Sequence, residues 1–584
     1  MKIVNRLKNI YNSIKKSIRR FPVTIAVSTI LVIMLIVLSE KGPNLTSEAR
    51  NIFGRINMII ALGIPMSLCI KLLYEQKGNL KGIQKAIGYM LGTILLILYY
   101  KFLLKDLNMV STIRYIAVSI FLYLAFSYIP WIKRKEDYEY YIIKVFSSFF
   151  LTAIYSFVIL IGVFAIIFTI DQLFNASIPE KSYYYTFLIV SGVFAPSMFL
   201  AKIPEIDADF SEYKYPKSLK VLLLYIVIPL ISIYTIILYI YFGKILITKD
   251  WPQGLVSHLV LWYSTVSVAV IFFISPILGE NKWANRFKFW FPKLNIPVLI
   301  MMFVSMGIRI NQYGITENRY FALVLGLWVL GIMLYFILSK KQKNIIIPIV
   351  LSILAINSAF GPLSSFSVSK RSQNNRLKSI LVKNNMLVEN KVEANSDINT
   401  EDKEEISMIL DYFDTNHSLE NVKYVPKDFR IEDMDKVFGF KYEEKSINGN
   451  KYFYYHTEHE RNNAIDIKGY DYLLDNYRMF NRNVKVDNVN VYYNMENLKF
   501  TIKEKDNIIY EANMKDFAYE IIEKQNDDLI KNRNILNPEY ATIIDENEKV
   551  KVKFIINGIS GNKDSENKLI IEDVEFTILI LVKL

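Results

Sequence analysis

The residues best suited to chemistry concentrate in one short stretch, Arg309 to Tyr320, which reads Arg-Ile-Asn-Gln-Tyr-Gly-Ile-Thr-Glu-Asn-Arg-Tyr. Arg309 and Arg319 supply forked donors that match phosphate or carboxylate oxygens, and Tyr313, Glu317 and Tyr320 add hydroxyl and carboxylate groups. Gly314 permits the positive φ of a tight reversal, and Thr316 is placed to cap a following helix. Two readings of this cluster stand side by side. In one it binds an anionic headgroup or docks the C-terminal domain, with anionic lipid headgroups or envelope components as the implied partners; in the other it is an interfacial anchor, with arginines on lipid phosphates and tyrosines at headgroup depth.

Other chemistry is sparse. The chain has no Gly-rich phosphate loop ending in Lys-Ser/Thr, no Gly-x-Ser-x-Gly elbow and no His-Glu-x-x-His. Asp207-Ala208-Asp209 is a short acidic pair of the kind that holds a metal in some glycosyltransferases, but such a tripeptide arises readily by chance. His456, His459 and Glu460 have donors suited to zinc, against the plainer reading of an exposed strand end. His258 lies one turn into an apolar run with no acidic neighbour, as an interfacial histidine rather than a proton relay. No catalytic residue, cofactor or metal ligand is assigned.

The elements that position the turn are apolar. The turn lies between the runs Leu294–Gly307 and Phe321–Leu338, which a short link makes antiparallel neighbours. Spans are expected at 23–38, 56–74, 86–104, 115–131, 141–170, 184–201, 221–243, 255–278, 294–308, 320–338 and 345–363, about eleven in all, each near the ~20 residues a bilayer requires. Pro65, Pro196, Pro229, Pro276 and Pro297 interrupt these runs, as kinks or as broken helices around a cavity. Lys71, Lys101, Arg114, Lys144, Asp171, Lys202 and Lys244 fall near span ends, where their side chains can snorkel.

Charge divides with hydropathy. Residues 371–584 hold 31 Lys and Arg against 40 Asp and Glu, a net −9, which leaves +22 on the first 370 residues for the total of +13. A nucleic-acid binder would carry its basic charge on the soluble part, so no nucleic acid is expected as a partner. Basic residues cluster instead in alternate loops: Lys77, Lys81 and Lys85; Lys133, Arg134 and Lys135; Lys214, Lys217 and Lys220; Lys282, Arg286, Lys288 and Lys293; Lys340, Lys341 and Lys343. The positive-inside bias puts these loops and the N-terminus in the cytoplasm. Residues 1–21 fit a basic amphipathic helix on the inner leaflet, and no small-residue cleavage site follows the first span. An odd number of spans then places the C-terminal part, and the Arg309–Tyr320 turn, on the extracytoplasmic side.

After residue 364 the chain turns polar. Ser369–Asn384 reads as a basic juxtamembrane helix with Leu377, Ile380 and Leu381 on one face and Arg371, Arg376 and Lys378 available to outer-leaflet phosphates. Thr400 is the expected cap of a helix burying Ile406, Ile409, Leu410 and Phe413. Strands are expected at 452–456, 464–468, 489–493, 498–503, 508–512, 550–557 and 569–582, with a helix over 514–524 and a hairpin turn at Lys505-Asp506-Asn507. Both faces of 569–582 carry apolar residues, which fits a central strand. The single cysteine, Cys69, rules out an intramolecular disulfide.

These motifs resemble a family of bacterial multispanning membrane proteins, domain-of-unknown-function family 4153. The resemblance rests on Phe199-Leu200-Ala201-Lys202-Ile203-Pro204, on Tyr215-Pro216-Lys217-Ser218-Leu219 leading to Pro229-Leu230, and on Trp251-Pro252-Gln253-Gly254. It rests further on the turn from Tyr313 to Tyr320 and on Ser369-Lys370-Arg371-Ser372-Gln373 through Arg376-Leu377. It implies architecture and carries no activity, cofactor or catalytic residue with it.

The resulting expectation is an α-helical polytopic membrane bundle followed by an extracytoplasmic α+β domain. Its parts are a cytoplasmic basic helix (1–21), a transmembrane domain (22–364), a juxtamembrane helix and linker (365–400) and the α+β domain (401–584). The function expected is that of a non-enzymatic envelope protein of the cell membrane presenting a binding domain. A transporter or lipid-handling permease, and a membrane-embedded enzyme acting on lipid-linked envelope precursors, are the alternatives. The partner implied directly is the lipid bilayer. Substrate and oligomeric state are not legible in the sequence.

Overall fold

The computed structural model describes residues 14–42, 45–78, 82–174, 176–249, 255–443, 451–457, 465–475, 483–505, 507–531, 535–563 and 568–583. Most of the basic N-terminal helix, the Trp251-Pro252-Gln253-Gly254 motif, Asp506, His459 and Glu460 therefore lie outside the described residues; 14–20 are helical. The chain forms two compact units, Met1–Arg376 and Leu377–Leu584.

The first unit is helical. Ten of its described helices are long and apolar enough to cross a membrane: α1 Pro22–Lys41, α2 Ser47–Lys77, α3 Gly82–Phe102, α4 Met109–Ile132, α5 Tyr138–Phe174, α6 Lys181–Ala201, α7 Lys217–Thr248, α8 Ser257–Ile277, α9 Lys282–Tyr313 and α10 Glu317–Leu338. An eleventh, α11 Ile346–Ala359, has 14 residues, a rise of only ~21 Å against the ~30 Å of a bilayer core.

Side-chain contacts sort the helix ends into two groups. At the first end, Arg20 before α1 meets Glu75 at the end of α2 and the Ile203 and Pro204 carbonyls after α6. Lys220 in α7 meets Glu280 after α8, and Asn344 before α11 donates to Glu139 in α5 and Ser275 in α8. At the second end, Glu40 of α1 pairs with Lys181 of α6, and Arg55 of α2 donates to the Leu104 carbonyl after α3. There too Arg114 of α4 lies over the rings of Phe360 and Phe366 beyond α11. The short α11 thus starts at the first end and leaves at the second, its reach extended by the turn at 360–364. Among the described residues ten helices have the length of a span, against about eleven expected, and α11 runs between the same two ends without that length.

The prolines do not break the helices. Pro196 follows a π-helical turn, Val190–Phe194, and Pro229 follows another, Leu222–Val227. A proline has no N–H for the carbonyl four residues back and its ring crowds that carbonyl, so the preceding turn widens. The carbonyl left over by Pro196 is that of Gly192, and it accepts from the Ser28 hydroxyl of α1. Pro65 and Pro297 sit within continuous helices, and Pro276 within a 3-10 turn.

The second unit begins inside helix α12, Ser365–Lys383. Leu377, Ile380 and Leu381 pack with Ile406, Ile409, Leu410 and Phe413 of α13, Thr400–Asn416, and with Met434 and Phe438 of α14, Met434–Phe438. The cap of α13 is Asn399, whose side chain accepts from the Asp402 N–H, and not Thr400, which is already helical. A small hairpin, β1 Leu387–Val388 and β2 Lys391–Val392, joins these helices.

The rest is two sheets around one core. A meander, β5 Val484–Val486, β6 Val489–Asn494, β7 Lys499–Glu504 and β8 Asn507–Asn513, forms one sheet in the order β5-β6-β7-β8. The other runs β4-β12-β11-β3-β9, with β10 also paired to β11. Its strands are β3 Lys451–Thr457, β4 Tyr472–Asp475, β9 Ile535–Leu536, β10 Thr542–Glu546, β11 Val550–Lys563 and β12 Leu569–Val582. Phe500, Phe554 and Phe576 meet edge to face between the sheets, where helix α15, Met514–Lys531, adds Ala518, Ile521 and Ile522. β12 is interior, as its two apolar faces require. Of the strand expected at 464–468, the described residues form none: 465–467 are irregular and 468–469 turn, and 464 lies outside the described residues. The alternation in so short a stretch has no partner strand to stabilise it. The short strands β4, β5, β9 and β10 carry too little pattern to be anticipated.

Asp573 of β12 is half-buried with Oδ1 unpartnered, and burial together with the neighbouring Glu575 pushes its carboxyl above the usual range. A carboxyl raised in the folded state binds its proton more tightly than in the unfolded chain, so its ionised form weakens the fold above that pKa and the penalty disappears in acid. Asp573→Asn is expected to raise the thermal midpoint of the full-length protein at pH 7.5, with the gain shrinking toward pH 4. A gain independent of pH overturns this account.

Candidate functional site

The Arg309–Tyr320 turn folds onto the first half of α12. Gly314 has φ +69, which ends α9, and its N–H is held by the Ile310 carbonyl. The Ile315 N–H donates to Ser372 Oγ at 2.9 Å, and Gln373 Nε2 donates to the carbonyls of Tyr313 and Ile315, both at 3.1 Å. Arg319 closes the same loop from the other side, giving its guanidinium to the carbonyls of Tyr313 (3.2 Å) and Gly314 (2.8 Å). The guanidinium groups of Arg319 and Arg376 lie 5.5 and 5.8 Å from the Tyr313 ring centre. Arg309 and Arg376 are both electrostatic neighbours of Arg319, so three cations share this corner.

The sequence-derived candidates thus take distinct roles. Tyr313, Gly314 and Arg319 form the clasp with Ser372, Gln373 and Arg376. Glu317 is buried in the first turn of α10. Thr316 occupies the cap position of α10 but makes no side-chain cap hydrogen bond. Tyr320 gives its hydroxyl to the Leu363 carbonyl rather than to solvent. Arg309 is partly exposed. Arg376, expected on lipid phosphate, is drawn onto Tyr313 instead, because a guanidinium keeps both a ring face and a carbonyl acceptor there. The two segments most specific in the sequence, the turn and Ser369–Arg376, prove to be each other's packing partners. Ser372 and Gln373 were missed as site residues; their only signal was their place in that motif.

A second polar cluster, at the first end, was not anticipated. Arg20 makes a two-pronged pair with Glu75 (2.9 and 2.8 Å) and gives its remaining donors to the carbonyls of Ile203 (2.5 Å) and Pro204 (3.0 Å). Lys71 joins Glu75 at 3.4 Å. Arg134 donates to the carbonyls of Glu205, Ile206 and Ala208 and lies over Phe210 at 5.0 Å. Two arginines therefore satisfy the carbonyls that Phe199–Ala208 frees where α6 stops. A pocket of about 660 Å³ beside them is lined by Lys15, Lys16, Arg19, Arg20, Glu205 and Asp207 among others. Lys16 pairs with Glu205, holding that carboxyl below its usual range.

Asp209 is turned away, bonded to the N–H and hydroxyl of Ser211, which lower its pKa. Among the described residues no group of three or more His, Cys, Asp or Glu is placed to hold a metal. His258 is exposed on α8, and His456 stacks on Tyr454 at 5.9 Å. Lys202, expected to snorkel, instead keeps Nζ buried, 5.0 Å from the Tyr155 ring.

Both clusters predict how the bundle responds to substitution. Gly314→Ala places Cβ 2.9 Å from Gln373 Nε2 and 3.2 Å from Ser372 Oγ, at a φ that alanine resists. It is expected to cost about 1–3 kcal/mol, read as a lower unfolding midpoint in detergent. Gly307→Ala, in the same helix with nothing within 4 Å of its Cβ, is expected to leave the midpoint unchanged or raised.

Arg20→Lys keeps the charge but not the four bonds, and is expected to cost about 2 kcal/mol. Lys16→Ala removes only a pair whose members are 59% and 61% exposed and is expected to stay within about 1 kcal/mol. Equal effects of these two changes would remove the distinction between a buried clasp and a surface pair.

The sequence profile of the family described as Domain of unknown function (DUF4153) matches residues 23–391, from the start of α1 through α12. The Uncharacterized protein PM1469 of Pasteurella multocida (strain Pm70) is 23% identical over 288 residues, covering 49% of this chain and 48% of that protein. The chain thus spans about half the length of this curated relative. No solved structure matches.

Proposed function

The chain belongs to the DUF4153 family, and we propose that it serves as a non-enzymatic protein of the bacterial cell membrane whose bundle presents the C-terminal α+β unit outside the cytoplasm as a binding domain. One observation carries this reading: the arginines Arg319, Arg20 and Arg134, with Ser372 and Gln373, are spent on main-chain groups of their own chain. Gln373, Ser372 and Arg319 hold the turn, while Arg20 and Arg134 hold the loop after α6. Groups committed in this way hold helices in place, which is the work of a scaffold rather than of turnover.

The orientation rests on charge. Lys15, Lys16, Arg19 and Arg20, the triad Lys133, Arg134 and Lys135, the run Lys282–Lys293 and the loop Lys340–Lys343 all fall at the first end of the bundle. Basic residues beside spans favour the cytoplasmic side, so the ten long helices, with the short α11 counted as an eleventh crossing, deliver the α+β unit to the other face.

In a Cys69→Ser background, Asn507→Cys is expected to react in intact cells with a thiol reagent that cannot cross the membrane. Lys133→Cys should react only after permeabilisation. The opposite pattern inverts the orientation and removes the presented domain from the envelope. A turnover by the purified protein that a single substitution abolishes would overturn the non-enzymatic reading independently.

A further inference from the structure

Between α10 and α11 the outer surface of the bundle holds a groove of about 400 Å³, lined by Leu327, Gly331, Tyr335, Ile346, Val350 and Leu354 among others. Its walls are almost wholly carbon. Gly331 opens it: a Cβ built there meets nothing within 4 Å. From Leu327 to Tyr335 the helix rises ~12 Å, close to the ~15 Å depth of one leaflet's hydrocarbon. The groove ends under a basic loop, because the Tyr335 hydroxyl accepts from the Lys343 N–H at 2.6 Å and Gln342 Nε2 donates to the Phe336 carbonyl at 2.7 Å. Lys340, Lys341 and Lys343 are exposed on that pinned loop. Glu139, which lies next to it, is already bonded by Asn344.

We propose that this groove seats one acyl chain of an anionic phospholipid whose phosphate rests on Lys340, Lys341 and Lys343. The apolar channel supplies affinity for the chain, and the loop at its mouth supplies the preference for negative charge. The depth of a single leaflet, with cations at one end only, matches a lipid standing in that leaflet. A transmembrane helix would need an apolar seam through both leaflets. The assignment goes beyond the function proposed above and does not depend on which side the loop faces.

The test uses the full-length protein reconstituted in vesicles of equal phosphatidylglycerol and phosphatidylcholine, then extracted in mild detergent for native mass spectrometry. Wild type is expected to retain phosphatidylglycerol over phosphatidylcholine. Gly331→Phe fills the channel and should abolish retention of both. Val350→Phe does the same from the opposite wall and serves where the first variant unfolds. Changing Lys340, Lys341 and Lys343 together to Ser should leave a lipid bound while lowering the preference for the anionic one by at least about fivefold. Unchanged retention in a folded groove-filling variant overturns the proposal, as does a wild type without preference for the anionic lipid. A wild-type dimer that Gly331→Phe dissociates would give the groove to a second copy, and overturns it as well.

Discussion

Where a helix stops inside or at the edge of a bilayer, its last carbonyls lose their partners, and nothing in the hydrocarbon replaces them. That constraint organises the membrane unit of this protein. At the first end Arg20 and Arg134 between them cover the carbonyls of Ile203, Pro204, Glu205, Ile206 and Ala208. At the second end Arg319 and Gln373 cover those of Tyr313, Gly314 and Ile315. Guanidinium suits the task because it carries five donors in one plane and stays charged, whereas an ammonium offers a single compact charge. Glu75 completes the first cluster by balancing Arg20 in a pair whose side chains are 11% and 17% exposed. Such a pair adds little net stability by itself, but it fixes where the guanidinium points.

The same accounting explains the prolines. Each removes one donor; before Pro196 and Pro229 the helix answers with a wider turn, and at Pro196 also with a neighbour's hydroxyl, as Ser28 bonds Gly192. At Pro196 the freed carbonyl marks where α6 leans on α1. The short α11 obeys the same rule. Its 14 residues run from Asn344, tied to Glu139 at the first end, to Phe360, packed on Arg114 at the second.

Much of this was legible in the sequence. Span positions follow from run length and hydropathy, and the α+β character of the second unit follows from period-two alternation in 489–493, 498–503, 508–512 and 569–582. Sheet strands with a strong pattern were found; β4, β5, β9 and β10, two to five residues long, were not. The candidate turn stood out in the sequence as a polar concentration, but its partners lay some 60 residues away, in Ser372 and Gln373. Local composition carries no information about a contact at that distance. The first-end clasp escaped for the same reason, since Arg20, Glu75, Arg134 and Ile203 look individually like ordinary loop charges and a helix end.

The sequence by itself determined that the chain is a multi-pass helical bundle joined to an α+β unit, because burial of apolar runs and charge segregation are one-dimensional properties. Only the tertiary structure decided what the polar residues do. Whether an arginine faces lipid phosphate or a carbonyl depends on which helix end comes to rest beside it, and that is set by packing across the whole bundle. Arg376 and Tyr320 were open to headgroups as read from the chain; the fold turns them to Tyr313 and Leu363.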